Sequence, residues 1–206
     1  MSELAAPLGV LAGLIAVADT IPYVRDTLRG ATRPHRGTWL IWGVLAIVVC
    51  LSQRADGASW SLVMAATQAV LTALIFLLAI RLGDGGLSTP ELVMIAIALA
   101  GVAGWIIAQE PLAATVCVVV ADLIGAALMV PKTYHNPHSE TLATFVLASL
   151  SGALAAAAVG TLDPSLLLYP AYFCLINGAI ALLIHHRRRA LASHGAPTAI
   201  PAPLAA

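Results

Sequence analysis

The chain repeats itself, and that limits its fold more than any single motif does. Residues 18–42 read ADTIPYVRDTLRGATRPHRGTWLIW, and residues 121–145 read ADLIGAALMVPKTYHNPHSETLATF. Aligned without a gap at an offset of 103, Ala18, Asp19, Ile21, Pro34, His35 and Thr38 fall on Ala121, Asp122, Ile124, Pro137, His138 and Thr141, and Trp42 falls on Phe145. Farther along, at an offset of 104, Ser61-Leu62 falls on Ser165-Leu166 and Arg81 on His185. The matches are mostly polar positions in apolar surroundings, which a shared apolar composition would not produce. Two copies of a unit of roughly 80 residues are expected.

Those surroundings set the class. The chain is 60% hydrophobic and 10% charged, with a mean hydropathy of +0.94, which is membrane-protein composition. Seven apolar stretches approach the roughly 20 residues a span needs: residues 4–24, 38–52, 59–82, 90–108, 111–130, 141–160 and 165–184. Runs of this kind are expected to be helices, not barrel strands. The opening Met-Ser-Glu carries no positive region, so the first stretch reads as a retained helix instead of a cleaved signal.

Charge placement orients them. Arg25, Arg29, Arg33, Arg36, Arg81, Lys132, Arg187, Arg188 and Arg189 fall on one side, against Arg54 alone on the other. The positive-inside rule then places the N-terminus outside and the C-terminus in the cytoplasm, as expected for the cytoplasmic membrane of a bacterium. A three-helix unit ends on the side opposite its start, so two like-oriented units require one further crossing between them. The expected fold is an all-α membrane protein of seven transmembrane helices, two parallel three-helix repeats joined by a linker helix (3+1+3). Residues 1–82 form the first repeat, 83–110 the linker, 111–189 the second repeat and 190–206 a disordered tail. Gly9 and Gly13, and the stripe Gly152, Ala156 and Gly160, read as helix-packing surfaces within the chain, with a homo-oligomer face as the alternative.

Asp19 and Asp122 are the leading functional candidates. A carboxylate within an apolar span costs roughly 2.5–3.5 kcal/mol on insertion scales, and such groups face a cavity, a partner or a proton path. The plain alternative for Asp19 is an ion pair in the Arg25–Arg29 region. Pro34 and Pro137 fit the first turn of a helix, which puts His35 and His138 in the first turns of the second and sixth. These histidines either contact headgroups or form a pH-responsive cytoplasmic gate, alongside Thr38 and Thr141. Trp39 and Trp42 read as interfacial anchors or as cavity walls. Asn177 and Gln68 are amides inside spans and need partners or a cavity; Ala73 stands at the repeat equivalent of Asn177. Cys50, Cys117 and Cys174 each stand alone with no disulfide or metal spacing, and no cofactor or metal motif appears.

The pattern resembles the PQ-loop/SWEET superfamily of small membrane transporters in span number, 3+1+3 layout and orientation, over nearly all of residues 1–190. Pro22-Tyr23 and Pro131-Lys132 stand where that family has Pro-Gln. The loop KTYHNPHSET is similar to the one after that motif, and Trp39-Leu-Ile-Trp42 resembles the aromatic entry of its second helix. Asn177-Gly178 resembles the Asn-Gly of the third helix in a SWEET repeat, where the Asn contacts sugar. RPHRGTWLIW resembles a run in bacterial PQ-loop-like membrane proteins. The resemblance implies a small-solute transporter working by alternating access, proton-linked in one version. Its solute would meet Asp19, Asp122, Asn177, Gln68, Trp39, Trp42, Thr38 and Thr141, with Pro22, Pro131, Pro34 and Pro137 as hinges. The expected partners are the lipid bilayer and a small polar solute, not nucleic acid. The alternative is a receptor or assembly factor that uses the fold without transport, its basic first loop and Arg187–Arg189 meeting anionic lipid or a protein. An intramembrane enzyme is disfavoured, because no nucleophile motif accompanies Asp and His.

Overall fold

Long Leu, Ile, Val and Ala runs with few charges can satisfy their backbone in an apolar medium by forming helices. The computed structural model describes residues 2–83, 85–86 and 88–193, and among these it is all-helical. Seven α-helices follow in order: α1 (Ser2–Leu28), α2 (Arg36–Ala55), α3 (Leu62–Leu82), α4 (Thr89–Ala108), α5 (Pro111–His135), α6 (Leu142–Ala158) and α7 (Pro164–Ser193). A short 3-10 turn, Pro137–Ser139, precedes α6. By length and composition α1, α2, α3 and α7 are long and apolar enough to cross a membrane. The apolar stretches within the other three are shorter among the described residues: Leu92–Ile107, Pro111–Ile124 and Leu142–Ala158. The chain is a helical protein with the makings of an integral membrane protein.

Several boundaries move from their sequence-based positions. α5 does not stop at residue 130: it carries Pro131 inside the helix and places Lys132 on the helix instead of in a loop. A proline deletes one backbone hydrogen bond and kinks a helix without always ending it. α7 runs past residue 184 to Ser193, so Arg187–Arg189 are helical and residues 190–193 of the expected tail continue the helix. Arg187 Nε donates to Tyr134 O (2.9 Å), and Arg188 donates to Pro137 O (3.2 Å) and Glu140 O (2.7 Å). These bonds tie the polar end of α7 to the α5–α6 connection. The rest of the expected tail, 194–206, lies outside the described residues.

The helices pack in a ring. α3 lies between α1 and α2, α7 lies between α5 and α6, α1 packs on α6, and α2 packs on α5. α4 lies against α5 and reaches α2. With α4 set aside, swapping α1, α2 and α3 for α5, α6 and α7 maps this pattern of neighbours onto itself. Small residues allow the close approaches. A Cβ at Gly9 would strike the Trp60 backbone, one at Gly13 would lie 2.7 Å from Val63 Cγ1, and one at Gly152 would lie 2.6 Å from the Cys174 backbone nitrogen. The two stripes therefore serve α1–α3 and α6–α7 packing inside the chain. Gly160 leaves its stripe altogether: it lies just beyond α6 at φ +74°, a left-handed conformation glycine adopts without strain.

One end of the ring is sealed. Ala12, Val49, Met64, Val118, Ala155 and Tyr169 belong to the main buried cluster. Ser52 Oγ and Thr115 Oγ1 share a 2.8 Å hydrogen bond between α2 and α5, Gln53 Nε2 donates to Ser165 O (3.0 Å) at the start of α7, and Ser151 Oγ donates to Ala12 O (2.8 Å) between α6 and α1. Just outside this seal, burial together with the charges of Asp163 and Glu110 pushes the Asp56 carboxyl above its ordinary pKa.

Candidate functional site

The other end is open. A cavity of about 590 Å³ enters between the connections, past Thr32, Arg33, His35, Ser88 and Glu140, and runs inward to Leu45, Met94, Val118 and Tyr169, where the sealed core begins. Its size falls in the range of ligand sites, roughly 300–1,000 Å³.

Asp19 and Asp122 both line it. Asp19 is 4% exposed. Its Oδ1 accepts from Thr20 Oγ1 at 3.0 Å and its Oδ2 from Gln68 Nε2 on α3 at 3.2 Å. Asp122 is half-buried, and its Oδ2 accepts from Tyr172 OH on α7 at 2.6 Å. Trp42 lies beside Asp122, with its buried Nε1 facing the carboxylate as a further neutral donor. Among the described residues neither carboxylate has an ion-pair partner. The expected alternative of an Asp19 pair to the Arg25–Arg29 region is not found, since Arg25 instead pairs with its neighbour Asp26 at 3.0 Å. Asp19 and Arg25 sit six positions apart on one helix, on different faces.

Gln68, Asn177, Trp39, Trp42, Thr38 and His35 also line the cavity. Asn177 Nδ2 donates back to Phe173 O at 2.8 Å. Trp39 is 8% exposed, donates from Nε1 to Tyr23 OH (3.0 Å) and meets Tyr23 and Trp42 with centroid separations of 4.9 and 5.1 Å. It is a cavity wall and not an interfacial anchor. His35 is not in the first turn of α2; it is the N-cap, and its Nδ1 accepts from Thr38 N at 3.3 Å. Pro34 is buried one residue earlier.

The second copy of this motif departs further from expectation. Pro137 opens the 3-10 turn and not α6, and His138 sits exposed within that turn, away from the cavity. Pro137 lies five positions before the start of α6, whereas Pro34 lies two before α2. Thr141 is the N-cap of α6, outside the cavity, and donates to Asp26 Oδ2 at 3.3 Å. Pro22 and Pro131 lie inside α1 and α5, neither among the lining residues.

Sequence reasoning missed Thr20, Tyr23, Thr72, Thr144, Tyr169 and Phe173 as lining residues, and Tyr172 as the partner of Asp122. A signal was present: Tyr169, Phe173 and Asn177 recur every four residues, as do Asp19 and Tyr23, so each set shares one helix face.

No protein-family model, curated protein or solved structure matches the chain.

Proposed function

We propose that the chain is a small-solute membrane transporter of the PQ-loop/SWEET kind, in which all seven helices cross the bilayer and two parallel three-helix repeats joined by α4 alternate access to the cavity between them. One observation carries the reading. A cavity sealed at one end and open at the other lies between the repeats, and the repeat-equivalent carboxylates Asp19 and Asp122 both face it. Carriers built from parallel repeats place their solute at such an interface. The ring of helix neighbours, which keeps its pattern when α1–α3 and α5–α7 are exchanged, supports the 3+1+3 layout. α4–α6, with their shorter apolar stretches, complete the set of crossings.

In this reading the open end faces the cytoplasm, because the connections at that end carry the excess of Lys and Arg. The Ser52–Thr115 and Gln53–Ser165 bonds form the closed external gate. Asp19 and Asp122 hold the charge of the solute or a coupled proton. The receptor alternative gains no specific support: Arg187 and Arg188, its proposed contact cluster, already bind carbonyls of their own chain.

The test does not require the solute. With Cys50, Cys117 and Cys174 replaced by Ala, Ser52→Cys, buried at 0% exposure, is treated in intact cells with a membrane-impermeant maleimide. An alternating carrier exposes this position part of the time and labels progressively, while Thr38→Cys labels from the inside only. Ser52→Cys that stays unlabelled beside a folded, inside-reactive Thr38→Cys excludes alternating access.

A further inference from the structure

We propose that the cavity binds an organic cation, an ammonium group carrying apolar substituents. The inference deepens the transporter reading and rests on it for the purpose of the site, but its binding test stands apart.

The walls carry the argument. Of the chain's three Phe, four Trp and four Tyr, six line this one cavity: Tyr23, Trp39, Trp42, Phe145, Tyr169 and Phe173. They come from both repeats. Aromatic faces attract cations through the ring quadrupole, most strongly where water is excluded, and cages of such rings recognise quaternary ammonium groups. Among these rings stand two carboxylates whose partners among the described residues are all neutral: a threonine hydroxyl, a glutamine amide, a tyrosine hydroxyl and the Trp42 indole. An ionised carboxylate in a low-dielectric cavity calls for an opposite charge, and among the described residues none is paired with either. The basic lining residues, Arg33 and His35, stand at the mouth and leave the inner cavity free of positive charge.

Other solute classes fit less well. An anion would face two carboxylates with no inner cation to offset them. A sugar needs many paired donors and acceptors, whereas Asn177 already uses its amide on its own helix and Trp39 and Tyr23 bond each other. An inorganic cation takes a shell of oxygens, and among the described residues no three His, Cys, Asp or Glu side chains converge to give one.

The experiment is a titration of the purified full chain in detergent, followed by the fluorescence of the cavity tryptophans. Choline and benzyltrimethylammonium are the cationic probes, and 3,3-dimethylbutan-1-ol, the uncharged shape-mimic of choline, is the control. The cations are expected to bind more than about tenfold tighter than the alcohol, a gap of one charge interaction. Asp122→Asn and Trp42→Leu are each expected to weaken cation binding by about tenfold or more while leaving the alcohol's weak binding unchanged. Equal binding of choline and the alcohol by the wild-type chain overturns the proposal, as does failure of both cations to bind; neither result depends on a variant folding. Flux of choline in proteoliposomes separates the two readings. Binding without flux keeps the cation site and removes the carrier, whereas labelling of Ser52→Cys with no cation binding keeps the carrier and removes the cation.

Discussion

The two carboxylate sites are versions of one design with different donors. In the first repeat Asp19 on α1 accepts from Gln68 on α3; in the second, Asp122 on α5 accepts from Tyr172 on α7. Gln68 and Tyr172 are themselves repeat-equivalent, at the offset of 104 that relates Ser61 to Ser165. An amide has become a phenol, yet the geometric job is kept: a neutral donor on the third helix of a repeat holds the carboxylate on the first. What changes is solvent access, since Asp19 is buried and Asp122 is half-buried at the cavity wall. The comparison teaches that this position is constrained by what it donates to, not by its own identity.

The largest expected effect breaks both sites at the level of function. Asp19→Asn and Asp122→Asn each keep the side-chain shape but lose the charge. In the transporter reading each lowers flux of a transported cation by about a hundredfold or more while membrane insertion and detergent-extracted yield stay near wild type. Proteoliposome uptake beside size-exclusion profiles checks this, and retained flux in either variant would show that the repeats are unequal partners.

Next comes stability, where the two sites should separate. Gln68→Leu removes the donor that, among the described residues, reaches Asp19 from another helix and should cost about 1–3 kcal/mol, the penalty for leaving a buried polar group short of a partner. Tyr172→Phe removes the matching donor from Asp122, but that side chain is half-buried and also faces Trp42 Nε1, so the loss should be smaller, about 1 kcal/mol. Thermal unfolding in detergent ranks the two; the reverse order would contradict the burial difference. At the sealed end, Ser52→Ala leaves Thr115 without its partner and should cost about 1 kcal/mol, raising the rate at which nearby gate positions label with maleimide.

The smallest effect lies outside the membrane-spanning part. Burial and the neighbouring Asp163 and Glu110 charges raise the Asp56 carboxyl pKa above its unfolded value. A raised carboxylate opposes folding at neutral pH, and that opposition fades as pH falls through the folded pKa. Asp56→Asn should therefore raise the melting temperature slightly at pH 7 and leave it unchanged near pH 4.

Much of this was legible in the sequence. The offset of 103 found both carboxylates because a charge in an apolar run stands out, and hydropathy found all seven helices. Helix ends were less legible. Pro131 and Arg187–Arg189 look like terminators, yet α5 and α7 continue through them, because Arg187 and Arg188 find carbonyl acceptors on the α5–α6 connection. The Gln68–Tyr172 equivalence stayed hidden for a different reason. Matching by residue type pairs Gln with amides and Tyr with aromatics, so nothing in the two side chains marks Tyr172 as the counterpart of Gln68. The offset of 104 aligns them, and the contact to a shared kind of acceptor gives that alignment its meaning.

α4 has a consequence of its own. It lies against α5 and reaches α2, and it offers the cavity little beyond Met94. In the proposed 3+1+3 layout its contribution is to make two bundles one polypeptide. Two identical bundles meeting about a twofold axis would be bound to present the same surroundings to both carboxylates. A fused pair is free of that obligation, and here one carboxylate is held by an amide and the other by a phenol. In the transporter reading a solute with unlike ends then has one preferred direction in which to lie.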